Sequence, residues 1–135
     1  MPDKISFSKT FYAMESAIAI SQQRHSLIAS NISNLDTPDY RAKDIDFKKA
    51  MARALESGPQ INLVRTNPGH IGSKTGSLYK AEVFDEDGEW NGVNYVNVHQ
   101  ATMKMVENTL MYRAATEILL RKIAGVKEVI KEGGR

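Results

Sequence analysis

The chain has no cysteine, which excludes disulfides, thiolate nucleophiles and zinc-thiolate sites and leaves its compartment open. It also lacks an excess of charge: 18 Lys and Arg against 16 Asp and Glu give a net +2. That is too little to point to nucleic acid, and no basic patch interleaves with aromatics. No apolar run reaches bilayer-spanning length, so direct membrane insertion is not expected. Glu15 and Ser16 interrupt the apolar stretch from Ala13 to Ile20, so a cleavable export signal is not expected either. With 9 Gly, 4 Pro and 25% charged residues among 135, the composition suits one domain, 1–135, rather than wholesale disorder.

Chemical motifs are as scarce. Gly72-Ser-Lys-Thr-Gly-Ser has phosphate-loop residue types without the Gly-Lys-Ser/Thr order that aims a lysine at phosphates. It reads as a loop. Asp85-Glu86-Asp87-Gly88 begins like a calcium loop, but Tyr95 and Val96 occupy the region where a bidentate Glu is needed. His25, His70 and His99 are far apart and form no metal-binding pair. No nucleophile, base and acid can be assembled from spacing. No catalytic residue, cofactor or metal site is expected, and the chain does not read as an enzyme.

What is present is two long heptad patterns. The first helix is expected from about Ser6–Ser8 to Ser33, with a seam at Phe11, Met14, Ile18, Ser21, His25, Ile28, Ile32 and Leu35, spaced three and four apart. Between Phe7 and Leu35 only Lys9, Glu15 and Arg24 are charged. A helix lying on an ordinary monomer shows water a charged stripe, whereas one packed on several sides avoids unpaired buried charge. The second helix is expected from Asn97 to about Lys131, with a seam at Met105, Thr109, Tyr112, Thr116, Leu119, Ile123, Val126 and Ile130. Between them, Asp46 caps a short helix that Gly58-Pro59 stops. Ile61–Val64 suggests a strand, Asn67-Pro68-Gly69 a turn, and Tyr79–Val83 and Trp90–Tyr95 a hairpin across Asp87-Gly88. The fold class is mainly α: an N-terminal helix over 6–35, an extended arm, short helix and small hairpin over 36–96, and a C-terminal helix over 97–132.

The most informative segment runs from Ser30 to Phe47. Asn34 is a residue type that tolerates the left-handed conformation ending a helix. Pro38 cannot continue one and presets the first central dihedral of a turn at Thr37-Pro38-Asp39-Tyr40. The chain therefore leaves the helix sharply into an arm. Asn31, Asn34, Thr37, Pro38 and Tyr40 fit an Asn-x-x-Asn-x-x-Thr-Pro-Gly-Tyr pattern that resembles the rod, hook and filament-type axial proteins of the bacterial flagellum. The continuation Arg41-Ala-Lys-Asp-Ile-Asp-Phe47 is most similar to proximal rod members. Resemblance resumes at Thr66–Ile71, Asn94–Asn97 and Glu107–Tyr112. Asp39 stands where the family usually has Gly, so the turn is expected to be type I. His99 and Ala101 stand where the family usually has acidic residues.

The resemblance implies a structural subunit of the proximal rod, exported without a cleaved signal to the periplasmic part of the basal body. It implies that the terminal helices pair as an antiparallel coiled coil, with Met14, Ile28, Met105 and Leu119 among the seam residues. The Thr37–Phe47 arm would lie across neighbouring subunits, anchored by Tyr40 and Phe47. The implied partners are further copies of the chain, the rod protein FlgC, the rod–ring adaptor FliE and the membrane ring protein FliF. A soluble coiled-coil adaptor with one helical partner, and a hydrolase clearing cell wall for the rod, are the alternatives. The first leaves the charge-poor face unused, and the second lacks an acidic residue beside substrate-binding aromatics.

Overall fold

The computed structural model describes residues 7–58 and 80–134. Helix α1 spans Phe7–Ser33, strand β1 Lys43–Asp44, helix α2 Phe47–Ser57, strand β2 Phe84–Asp85 and helix α3 Val98–Gly133. The expected strand at 61–64, the turn at 67–69, His70, the loop at 72–77 and Tyr79 lie outside the described residues. Among the described residues, no helix is long and apolar enough to cross a membrane.

The two long helices run antiparallel. Asn94, just before α3, bonds to the carbonyls of Asn34 and Leu35 just after α1. Fourteen residues further along, Asn108 on α3 donates to the carbonyl of Ser21 in mid-α1 at 2.8 Å. At this register residue 122 draws level with Phe7, so the last three turns of α3 run past the described part of α1.

The seam has a different phase from the one the apolar pattern suggests. On α1 the buried positions are Ser16, Ala17, Ile20, Ser21, Arg24, Ile28 and Asn31, with Ile20 in the cluster under α2, and on α3 they are Ala101, Asn108 and Ala115. Of the expected seam, Met14, Ser21 and Ile28 on α1 and Met105, Tyr112 and Leu119 on α3 fall on this line or beside it. Ile18 and Ile32 sit one position around α1 and are half-buried, and His25 is exposed. Ile123 and Val126, in the part of α3 past residue 122, are 45% and 37% exposed. The reason is local. Arg24, Asn31 and Asn108 are polar, so an apolar count passes over them, yet each has a partner inside the molecule. Small residues at 17, 101 and 115 let the backbones approach.

Helix α2 starts where the sequence expects. Asp46 accepts from the N–H of Lys49 at 3.0 Å, and Gly58 ends the helix at φ 65°, a conformation favouring glycine. Its Ala50 and Ala54 pack with Ile20, Ile45 and Ala81, and Leu27, Phe47 and Met51 close the cluster. Phe47 thus packs, partly buried, on its own chain's core.

Among the described residues the expected hairpin across Asp87-Gly88 does not form. β2 pairs antiparallel with β1 instead, Lys43 opposite Asp85 and Asp44 opposite Phe84, and Tyr95 bridges Arg41 in parallel. The arm's backbone thus bonds to both segments, Ala42 to Glu86 and Tyr40 to Tyr95. Gly88 still matters, for space rather than for turning: a Cβ there would stand 2.4 Å from the carbonyl oxygen of Tyr95. Gly88→Ala should therefore lower stability by roughly 1–3 kcal/mol through a forced backbone shift. Urea unfolding of the two proteins side by side measures it.

Candidate assembly site: the arm at the end of the first helix

Residues 34–46 leave α1 and turn back along it. Asn34 closes the helix without entering the left-handed region, for Asp39 is the sole described non-glycine residue with positive φ. Asn34 works through its side chain instead. Its amide donates to the Ser30 carbonyl at 2.8 Å, meeting an orphan acceptor of the last turn, and its Oδ1 accepts from the Thr37 hydroxyl at 3.0 Å.

The Thr37–Tyr40 turn is closed by a bond from the Tyr40 N–H to the Thr37 carbonyl. Asp39 has φ 56°, which overturns the expected type I geometry, whose third residue has negative φ. Asp is one of the few L-residues that enter this region readily. The conformation aims the Asp39 N–H at the Val93 carbonyl, 3.1 Å away. Asp therefore serves where glycine is usual in the pattern.

Two side-chain amides of α1 grip the extended segments as a strand would. Asn31 donates to the Lys43 carbonyl at 2.8 Å and accepts from the Lys43 N–H at 2.9 Å. Gln23 does the same with Ala81, at 3.0 and 2.9 Å. The Tyr40 hydroxyl meets Asn31 Oδ1 at 3.3 Å, tying the half-buried ring to α1.

Asn94 is the third such amide and the most enclosed, at 0% exposure. Its Nδ2 reaches the carbonyls of Asn34, Leu35 and Thr37 at 3.1, 2.6 and 3.1 Å. Its Oδ1 accepts from the N–H of Val96 at 3.0 Å and from Asn91. It caps the end of α1 from sixty residues away. Alongside, the Arg41 guanidinium lies 4.6 Å from the Tyr95 ring centre, and Trp90 meets that ring edge-on at 5.2 Å.

A buried ion-pair layer completes the site. Arg24 holds Asp44 through two bonds, at 2.8 and 3.0 Å. The Ile45 N–H donates to the same carboxylate at 2.7 Å. Lys104 of α3 stands 3.2 Å from Asp44 and also pairs with Glu86, while Glu107 lies 3.9 Å from Arg24. Burial alone would raise the Asp44 pKa, but the bonds from Arg24 and Ile45 and the two nearby cations hold it below the usual carboxylate range. The Arg24 pKa is raised, chiefly by its hydrogen bond to Asp44.

The sign of the linkage follows. A depressed folded pKa contributes stability that is complete above the unfolded value of about 3.9 and is lost as pH falls below it. Acid titration of the fold should accordingly show a loss below about pH 4 that Asp44→Asn removes. Thermal unfolding between neutral pH and pH 2 reads the difference.

The structure thus brings together Asn31, Asn34, Thr37 and Tyr40 of the motif with Asn94, and leaves Pro38 exposed at the turn. Sequence reasoning missed Arg24, Asp44, Asn94 and Asn108 as organising residues. Arg24 had a signal: it is one of three charges on a helix that otherwise avoids them. Among the described residues, no cluster of His, Asp or Glu could hold a metal ion.

Comparison with known proteins gives the arrangement its context. No family model matches the chain. Relatives do: a protein of Cereibacter sphaeroides is 33% identical over 117 residues, covering 85% of this chain and 88% of its own. One from Aeromonas hydrophila is 28% identical over 94% and 96% of the two chains. One from Escherichia coli K12 is 29% identical over 98% and 99%. Each is named flagellar basal body rod protein FlgB. With identity above 30% across most of both lengths, and with the arm motif and the paired terminal helices in place, this chain belongs to the FlgB family of flagellar basal body rod proteins.

Proposed function

We propose that the chain is a structural subunit of the proximal rod that assembles helically and transmits torque from the membrane ring to the distal rod. The observation that carries this reading is how unevenly the molecule is held together. Polar cross-links from α1 and its end to the rest of the chain gather at Gln23, Arg24, Ser30, Asn31 and Asn34, with the Asn108–Ser21 bond beside them. Beyond that level α3 carries exposed Ile118, Leu120, Ile123, Val129 and Ile130. Exposed apolar residues on more than one side of a helix about 54 Å long for its 36 residues suit burial between subunits. Many apolar contacts of this kind add up to a stiff column with no covalent link.

On this reading the chain contacts other copies of itself and FlgC along the rod, and FliE and FliF at its base. It leaves the cell interior through an export channel without a cleaved signal. Tyr40, fixed by its hydroxyl and half-exposed at its ring, offers the arm's contact to a neighbour. Its helices act as load-bearing staves.

The test is the chain's place in purified basal bodies, together with motility. Ile123→Asp puts a charge on the exposed apolar surface of α3, so the monomer should fold normally while rods and swimming are lost. Swimming cells carrying that variant would refute the reading. A closed dimer in sedimentation, with no place in basal bodies, would favour a soluble adaptor instead. Hydrogen exchange on the free monomer should protect residues 21–35 and 94–108 and leave 123–130 nearly unprotected, a contrast of at least about a hundredfold in rate. Uniform protection along α3 would contradict it.

A further inference from the structure

Most apolar residues at the far end of α3 share one side. At about 100° per residue, Ile118, Leu119, Ile123, Val126, Val129 and Ile130 fall within an arc of about 140°. Ala101, Asn108 and Ala115 point along the middle of that arc, so it continues the face by which α3 meets α1. Past residue 122 no described part of α1 accompanies this face, and Val129 and Ile130 are 69% and 70% exposed. Ile118, Val126, Val129 and Ile130 border an open hollow of about 670 Å3 there.

Charge follows the same geometry. From Arg113 to Arg135 there are six Lys and Arg against three Glu, a net +3 where the whole chain carries +2. Glu117 and Glu128 fall on the back of the helix, at least about 150° from the middle of the arc. Glu132 borders one edge in the last turn, Lys127 borders the other, and Lys122 stands within the arc. Among the described residues, the charged groups that line the hollow are Arg121 and Lys122. The apolar side therefore bears positive charge and no carboxylate.

We propose that in the free chain this end of α3 docks on an anionic membrane surface. It lies in the plane of the surface, with the Ile and Val side chains among the headgroups and the cations at the lipid phosphates. Charge decides the occupant. A neutral apolar partner would bury the positive charge at a cost, whereas anionic headgroups meet it. Lys and Arg suit such a boundary, because their stems rest on apolar groups while the charged ends reach the phosphates. The stretch from Ile118 to Ile130 is about 20 Å long, enough to lie along a bilayer and too short to cross one. The inference goes beyond the rod-subunit reading and does not require it, since it concerns the chain before any subunit contact covers this face.

The experiment floats the full chain with vesicles of phosphatidylglycerol and phosphatidylethanolamine, and separately with vesicles of phosphatidylcholine. Binding to the anionic vesicles should be at least about tenfold tighter and should weaken as salt is raised. Hydrogen exchange at 123–130 should slow on those vesicles while 21–35 keeps its rate. Lys122→Gln with Lys127→Gln should weaken binding by about twentyfold, at about fivefold for each cation, with circular dichroism unchanged. Val129→Ser with Ile130→Ser keeps every charge and should also weaken it by about tenfold or more. Equal binding to the neutral vesicles, no slowing at 123–130, or unchanged binding by both double variants would overturn the proposal. So would a chain that associates with itself in solution and ignores vesicles, which would show that protein covers the face. Absence of the chain from basal bodies would overturn the rod reading alone.

Discussion

Asn94→Asp should unfold the protein at neutral pH or leave it barely folded. The change keeps the size of the side chain and the oxygen that accepts from Val96. It replaces the amide nitrogen, which faces three carbonyls at 2.6–3.1 Å, with a carboxylate oxygen that they repel. Unmet buried polar groups cost about 1–3 kcal/mol each, so the loss should reach roughly 3–5 kcal/mol even before the charge is counted. That is a large share of the 5–15 kcal/mol by which a domain is commonly stable, on the order of a third or more. Urea unfolding at pH 7 reads it directly. Partial recovery near pH 4 should follow, since a protonated carboxyl regains one donor. A variant as stable as the parent would show that the end of α1 needs no cap from the distant loop.

Removing Arg24 should cost a similar amount. Arg24→Met keeps the aliphatic stem, but leaves the buried Asp44 carboxylate with Lys104 and one backbone N–H. Breaking a buried pair from one side typically costs about 3–5 kcal/mol, whereas replacing both partners with apolar groups is often neutral. Arg24→Met with Asp44→Leu should therefore be more stable than Arg24→Met alone, by about 2 kcal/mol or more. Additive losses from the two changes would mean that each residue is held independently. The helical content of α3 beyond residue 109 should change little in either variant, because no described ion pair from this layer reaches it.

These two residues mark where sequence reading stops. The helices, their ends and the α2 cap were legible because they depend on neighbours in the chain: heptad spacing, an Asp three residues before the N–H it accepts, a Gly at the stop. The arm was legible in part. Pro38 and the Asn-rich end of α1 announced a turn, but its form required the Val93 carbonyl, which captures the Asp39 N–H and holds that residue at positive φ. The hairpin expectation failed for a related reason. Tyr79–Val83 and Trp90–Tyr95 have the local pattern of two strands, yet the described backbone at 84–86 and 93–95 finds its partners along residues 39–44.

By itself the sequence determined two long helices joined by a connection of roughly sixty residues, and the motif that places the chain among flagellar axial proteins, a resemblance that implied their antiparallel pairing. It also determined that the first helix has almost no charge to show water. Tertiary structure alone decided which side of each helix faces the other. An apolar count ranks Ile18 above Ala17 and His25 above Arg24, because burying a polar group is costly in the absence of a partner. The fold supplies those partners from far along the chain: Asp44 for Arg24, Lys43 for Asn31, the Ser21 carbonyl for Asn108. With these partners in place, the small side chains at 17, 101 and 115 set the close approach of the helices, and Ile18, Leu120 and Ile123 are left on the outer flank.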